Sequence, residues 1–219
     1  MEPILFETER MTFRRFTPDD REAVSVFLMD PEVMYAWEHG FSEEEVTGWM
    51  ERNSTRYDRY GYGWLYAEDK ETGGNIGAIG LLYTGDIAGE DGWELGYIVN
   101  KRFWGKGYAA EGARGCIEHA FRAIGTDRVF SQMRTSNAAS RAVAERIGME
   151  YVTTYDRLYH GETLPYHVYV MKKTEDRCSG RMTPGKRKDT GKAGGPAESG
   201  RRERPREKEK DRSRGTAVK

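Results

Sequence analysis

The 219-residue sequence predicts one α/β domain of the α+β kind, a mixed but mainly antiparallel sheet flanked by helices, followed by a disordered basic tail. Short runs rich in aromatic and β-branched residues recur between residues 4 and 172, bounded by Gly, Asn and Asp, as strands require. Between them lie stretches with apolar residues three and four apart, the spacing of one helix face. From Thr174 onward no aromatic residue and almost nothing aliphatic remains, so too little apolar area exists to offset chain entropy. The domain is therefore expected over 1–173 and the tail over 174–219.

In chain order, residues 4–16 read as a strand, and Thr17-Pro18-Asp19-Asp20 starts the first helix. Asp19–Asp30 and Glu43–Tyr60 are amphipathic helices around the loop Pro31–Phe41. Gly63–Glu68 and Asn75–Tyr83 form a strand pair turning at Glu71-Thr72-Gly73-Gly74, and a further strand covers 93–99. The next helix carries Ala109, Ala113, Cys116, Ile117, Ala120, Phe121 and Ile124 on one face and closes at Gly125. After a strand at 128–134, Asn137 is a good N-cap for a helix with Ala139, Ala142, Val143 and Ile147 inward, ending at Gly148. Strands at 150–158 and 164–172, joined at His160-Gly161-Glu162, complete the domain. No internal repeat is evident.

Composition excludes several classes. No apolar stretch reaches the length of a transmembrane helix, and Met1-Glu2-Pro3 lacks the basic and apolar regions of a signal peptide, so the expected compartment is the cytoplasm. Cys116 and Cys178 are too few for a disulfide framework. The net charge of −1 hides a division: 15 Lys and Arg against 8 Asp and Glu in 174–219, and 20 against 28 before them. A basic tail can hold a protein weakly at RNA or the ribosome, although its interspersed glutamates and lack of aromatic residues equally describe a merely solvated segment. An acidic body would suit a cationic substrate such as an amine.

The run Arg102-Phe103-Trp104-Gly105-Lys106-Gly107-Tyr108-Ala109-Ala110-Glu111, between a strand and a helix, carries the strongest chemical signal. Gly105 and Gly107 remove Cβ atoms where backbone must approach a ligand, and a helix N-terminus offers unpaired N–H groups and the positive end of its dipole to phosphate oxygens. Arg102 and Lys106 add positive charge, so the segment 102–110 reads as a pyrophosphate cradle. Gly105-x-Gly107-x-x-Ala110 also satisfies a relaxed dinucleotide fingerprint, but Asp127 precedes its strand rather than ending it, and no Gly-Lys-Ser/Thr triplet forms a Walker loop.

Arg-x-x-Gly-x-Gly after the strand Trp93–Val99 resembles the acyl-CoA loop of the GNAT superfamily of N-acetyltransferases. Asn137-Ala138-Ala139-Ser140, a helix, then Ile147-Gly148-Met149 is similar to that superfamily's Asn-x-x-Ser/Ala … Leu-Gly-Phe segment. Thr8 to Phe16 resembles the opening of the branch containing ribosomal-protein alanine N-acetyltransferases. The resemblance spans roughly 8–172 and implies a single GNAT-type domain that transfers an acetyl group from acetyl-CoA to a primary amine, of a protein N-terminus or a small molecule. Transfer would be by direct attack, with no metal.

The resemblance also implies roles. A backbone N–H of Val99 or Ile98 would polarise the thioester carbonyl, and Asn137 would contact the pantetheine arm. Glu94 lies where the family often places a carboxylate facing the acceptor, making it the first candidate for general base, with His167 on the final strand as competitor. The family's usual acidic tyrosine is replaced by Ala144, which leaves Ser140 as the candidate acid. Trp37, His39, Trp49, Tyr57, Tyr60, Tyr62 and Trp64 gather in the region expected to face the acceptor, where aromatic rings can hold an ammonium; Trp49 and Trp64 read equally as core. Two other readings stand beside the enzyme: a non-catalytic acyl-CoA-binding sensor, and a ribosome- or RNA-associated protein acting through its tail. Either a monomer or a homodimer fits.

Overall fold

Why the chain doubles back within its first fifteen residues is set by a polar triplet, Thr8-Glu9-Arg10. The computed structural model, which describes residues 2–174, has two strands where one was expected over 4–16: β1 (Ile4–Glu7) and β2 (Met11–Arg15) form an antiparallel hairpin. The Thr8 N–H donates to the Met11 carbonyl at 2.9 Å, and Glu111 holds the turn from outside through the Thr8 hydroxyl and the Arg10 N–H. The tail expected beyond Thr174, and Cys178 with it, lie outside the described residues.

The helix expected over 19–30 is shorter, α1 (Arg21–Leu28), because Asp20 turns back to accept the Thr17 N–H at 2.7 Å and a two-pronged ion pair from Arg14, leaving Pro18–Asp20 as a 3-10 turn. α2 (Glu43–Tyr60) falls where its pattern places it; Ser42 and Glu45 form a reciprocal capping box, and Gly61 ends the helix at a positive φ. β3 (Trp64–Asp69), β4 (Asn75–Ile87) and β5 (Glu90–Val99) follow, the last two running further than expected into a hairpin that turns at Ala88-Gly89. α3 (Tyr108–His119) widens into a π-helical turn at Ala120–Ile124 before Gly125. β6 (Arg128–Arg134), α4 (Ala138–Ile147), β7 (Glu150–Tyr159) and β8 (Glu162–Lys172) complete the domain.

The eight strands form one sheet in the order β1-β2-β3-β4-β5-β6-β8-β7, antiparallel throughout except where β5 meets β6. One face packs α3 and α4 over Met11, Phe13, Ile79, Leu95, Val129, Met133 and Tyr169. The other packs α1 and α2 over Trp64, Ala78 and Ile98, with Phe130, Val168 and Val170 in a smaller cluster beyond. Because strand side chains alternate between faces, odd positions on β5 look toward α3 and α4 and even positions toward α1 and α2. Cys116 is fully buried in the first cluster and its thiol is pushed up by that burial, which accounts for it as core.

Candidate functional site

The parallel seam between β5 and β6 closes at a single pair, Glu94 with Phe130, after which the strands part. On its other edge β5 stays zipped to β4, with Ala78 opposite Ile98 and the Asn100 N–H donating to the Ile76 carbonyl at 2.8 Å. Alternation then turns the polar groups of Ile98 toward β4 and those of Tyr97 and Val99 toward the parting. The Val99 carbonyl agrees, since it is taken from that side by the Trp104 indole N–H at 2.7 Å. Of the two backbone donors expected, Val99 faces the seam, and Ile98 belongs to the ladder with its side chain in the α1/α2 core.

Beyond the seam lies the expected cradle. Gly105 and Gly107 adopt φ of +72° and +83°, conformations L side chains rarely take. The first full-turn bond of α3 runs from the Glu111 N–H to the Gly107 carbonyl at 3.1 Å, which leaves the N–H groups of Tyr108, Ala109 and Ala110 without partners in the helix. Lys106 and Arg102 stay exposed at the same turn, the Arg102 guanidinium resting on the Phe103 ring. Left-handed glycines, free helical N–H groups and two cations together fit a pyrophosphate. The turn is fixed from behind: Glu111 accepts from Arg10 Nε at 2.6 Å, Arg10 Nη1 donates to the Lys106 carbonyl at 3.0 Å, and the Tyr108 hydroxyl is bonded to Asp69. Burial alone would raise the Glu111 carboxyl, but the bonds from Arg10 and Thr8 outweigh it and hold it low.

Glu94 points to the α1/α2 face at the apex of the parting strands. Its Oε2 accepts from Thr84 Oγ1 at 3.1 Å and Gln132 Nε2 at 3.0 Å, and the Tyr155 hydroxyl in turn donates to Gln132 Oε1 at 2.5 Å. Oε1 has no protein partner among the described residues. Burial raises the carboxyl above the ordinary range, against the opposing pull of Gln132, Thr84, Arg157 and Arg56.

Asn137 caps α4 as expected, its Oδ1 taking the Ser140 N–H at 3.0 Å and the Tyr35 hydroxyl at 2.6 Å. Ser140 is partly buried and its hydroxyl has no protein partner among the described residues; its carbonyl accepts from Tyr97, whose phenol burial pushes up to about 12. The loop Pro31–Phe41 ties across both arms of the parting: Glu32 pairs with Lys101 at the end of β5, while Tyr35 and Glu38 reach Asn137 and Arg134 at the end of β6.

Two expectations fail on geometry. His167 pairs in register with Met133 and shares the α3/α4 face, opposite Glu94; its Nδ1 lies 2.7 Å from Thr154 Oγ1 and its ring meets Tyr151 edge-on. It does not stand beside Glu94. The aromatic group also disperses. Trp49, Tyr57 and Trp64 are core, Tyr57 serving as a strut bonded to the Phe16 N–H and Asn53, while Tyr62 bonds His119 on the α3 side. Sequence reasoning missed Thr84, Gln132, Tyr155, Tyr97 and Tyr35, which come from separate elements and share no spacing. Strand parity around Glu94 offered the only signal.

A sheet opened at one parallel seam, with a phosphate-fitting turn at the mouth of the opening, defines an acyl-CoA-dependent transferase, and the chain belongs to the GNAT family: the Acetyltransferase (GNAT) domain profile matches residues 10–150. It is an acyltransferase of the N-acetyltransferase class with acetyl-CoA as its donor. Among relatives, the uncharacterized protein YkkB of Bacillus subtilis is 32% identical over 150 residues, 67% of this chain and 86% of that protein. The FsC-acetyl coenzyme A-N(2)-transacetylase of Aspergillus fumigatus is 32% identical over 158 residues, 69% and 67% of the two chains. The crystal structure of an acetyltransferase from Agrobacterium tumefaciens superposes with a TM-score of 0.65 at 29% identity, covering 79% of this chain and 96% of that one. Among the described residues no helix is long and apolar enough to cross a membrane.

Proposed function

We propose that this enzyme acetylates a primary amine by direct attack, with Glu94 as general base. The observation that supports it most is the state of Glu94: one carboxylate oxygen anchored by Thr84 and Gln132, the other without a protein partner among the described residues, with a raised pKa, where β5 and β6 part. Acetyl-CoA, when bound, supplies an activated acetyl thioester. The cradle at 102–110 would hold its pyrophosphate, and Asn137 Nδ2 remains to meet the pantetheine arm. The Val99 N–H donates to the thioester carbonyl oxygen as negative charge grows there. Glu94 Oε1, five residues along β5 from Val99, takes a proton from the amine through intervening water as the N–C bond forms. The C–S bond then breaks, and the departing sulfur takes a proton through the Ser140 hydroxyl, which takes one from solvent in the same relay and so ends protonated.

Replacing Glu94 by Gln tests this assignment. Acetyl-CoA affinity, measured calorimetrically on the full chain, should be retained, while thiol release with an amine panel falls by about a hundredfold or more. Wild-type transfer by the variant would overturn it. In the wild type, a raised base pKa means that kcat/KM falls with acid while the pH is still above the ordinary carboxylate range, and Glu94→Gln should abolish that limb.

A further inference from the structure

The body of the chain is acidic, yet the surroundings of Glu94 are not. Arg56, on α2, is partly buried and has neither ion-pair nor hydrogen-bond partner among the described residues; the carboxylate whose charge reaches it is Glu94. Arg157, on β7, also bears on Glu94, lies 5.5 Å from the Tyr166 ring centre, and likewise lacks an ion-pair partner among the described residues. Arg134, on β6, approaches the same tyrosine from its hydroxyl end, with Nε 3.4 Å from Tyr166 Oη. Its Nη1 is held by Glu38 at 2.8 Å, but Nη2 is buried without a partner among the described residues, in a side chain only 15% exposed. Tyr166 thus stands between two guanidinium groups. Register places Arg134 and Tyr155 opposite Tyr166 on the face that carries Glu94, with Arg157 two residues beyond Tyr155.

Guanidinium groups gathered this way repel one another, and the charge of Arg134, largely buried, and of Arg56, partly buried, is destabilising unless an opposite charge meets it, whereas Arg157 stands exposed at the rim. Among the described residues only Arg134 of the three has such a partner, and Glu38 occupies one of its nitrogens. We propose that the acceptor is a small amine that also carries an anionic group, a carboxylate or a phosphate, with the amine at Glu94 Oε1 and the anion on Arg157 and Arg134 where they flank Tyr166. This rests on the acetyltransferase reading above and names its substrate class. Arg56 adds positive charge beside Glu94. A planar guanidinium takes either anion through paired hydrogen bonds. The same positive charge disfavours an ammonium at the site, so the amine reaches Glu94 ready to lose its proton. The adjoining cleft of about 480 Å³, between the β4–β5 turn and β7, is lined by Asp86, Asp156, Tyr155 and Arg157, and has room for the uncharged body of such a molecule while the two aspartates keep the anion at the arginines. The arrangement is the reverse of a cation-binding aromatic pocket.

Paired acceptors test the proposal on the full chain: the protein amino acids against their decarboxylated amines, phosphoethanolamine against ethanolamine, and short peptides with a free N-terminus and amidated C-terminus. The anionic member of at least one pair should be acetylated with a kcat/KM about tenfold or more above its neutral partner, and whether the carboxylate or the phosphate pair responds identifies the anion. In Arg157→Gln and Arg134→Gln that preference should collapse toward unity, mainly through KM, while Arg56→Gln should lower it less, with acetyl-CoA affinity unchanged in all three as evidence of an intact fold. Titration of N-acetylphenylalanine against N-acetylphenethylamine, and of N-acetylphosphoethanolamine against N-acetylethanolamine, into CoA-loaded protein reads the same subsite without turnover. If nothing is acetylated but an anionic product still binds preferentially, the catalytic reading fails and the subsite stands. Equal or better use of the neutral amines or the peptides, or equal binding of neutral products, overturns the proposal.

Discussion

The glycine turn at residues 102–110 and the face around Glu94, proposed above as donor cradle and acceptor site, lie at opposite ends of the same parting strands, and they are built by opposite means. The cradle is backbone: two left-handed glycines and the first turn of α3, contiguous in sequence, with side chains such as Glu111 and Arg10 serving only as struts. The acceptor face is side chain: Glu94 from β5, Thr84 from β4, Gln132 from β6 and Tyr155 from β7, brought together by register alone. A group every acyl donor shares is met by atoms that every residue has. Recognition of one acceptor is left to side chains that can change without disturbing the cradle.

That contrast predicts where substitutions act. The largest effect in the cradle should come from Gly107→Val, which forces a β-branched residue into a left-handed conformation costing roughly 1–2 kcal/mol and places its bulk at the helix start. Acetyl-CoA affinity should drop by more than tenfold with the circular-dichroism spectrum retained, and unchanged affinity would break the division by showing that the cradle is elsewhere. Glu111→Ala removes a strut rather than a contact, so stability should fall by about 2 kcal/mol and affinity only a few-fold. Because the folded Glu111 carboxyl sits below its unfolded value, its contribution is present above the unfolded pKa and lost as pH falls through the folded one. Urea titrations of wild type and variant should therefore converge in acid.

On the acceptor face the changes should touch rate and leave acetyl-CoA affinity alone. Tyr155→Phe frees Gln132 and weakens a hydrogen bond that favours ionised Glu94, so the acid limb of kcat/KM should move to higher pH; an unmoved limb would detach Tyr155 from the base. His167→Gln should change turnover by no more than about twofold, since its side chain lies across the sheet. A large loss there would mean that the face has been assigned wrongly.

The same division governs what could be read from sequence. Most of the element order and the left-handed glycine turn before α3 were legible because their signals are local: helix-face periodicity, capping residues, and glycines before a helix. Which of Ile98 and Val99 turns its amide to the seam, and which face carries Glu94 and which His167, are questions of parity, and a one-residue slip of register reverses the answer. Proximity along the final strand says nothing about which face of β8 meets the seam until Met133 is known to lie opposite it. The aromatic residues of α2 and β3 misled differently, because large rings fill a core as readily as they line a pocket, and Trp49 and Trp64 bury themselves against each other. The π turn after α3 and the long β4–β5 hairpin had no sequence signal at all.

A sheet joined across one seam by a single residue pair is, mechanically, a ladder with rungs missing at one place. Strands on either side are held by full antiparallel pairing, whereas the amides of Tyr97 and Val99 look into a divide that neighbouring backbone does not close. A ligand lying along that divide supplies the missing rungs, and its binding free energy adds to the cohesion of the two halves, by about 2.7 kcal/mol at a hundredfold excess over Kd. The gain should be concentrated there, as slowed hydrogen exchange at those two amides. The durability of this protein is then tied to the abundance of its own acyl donor.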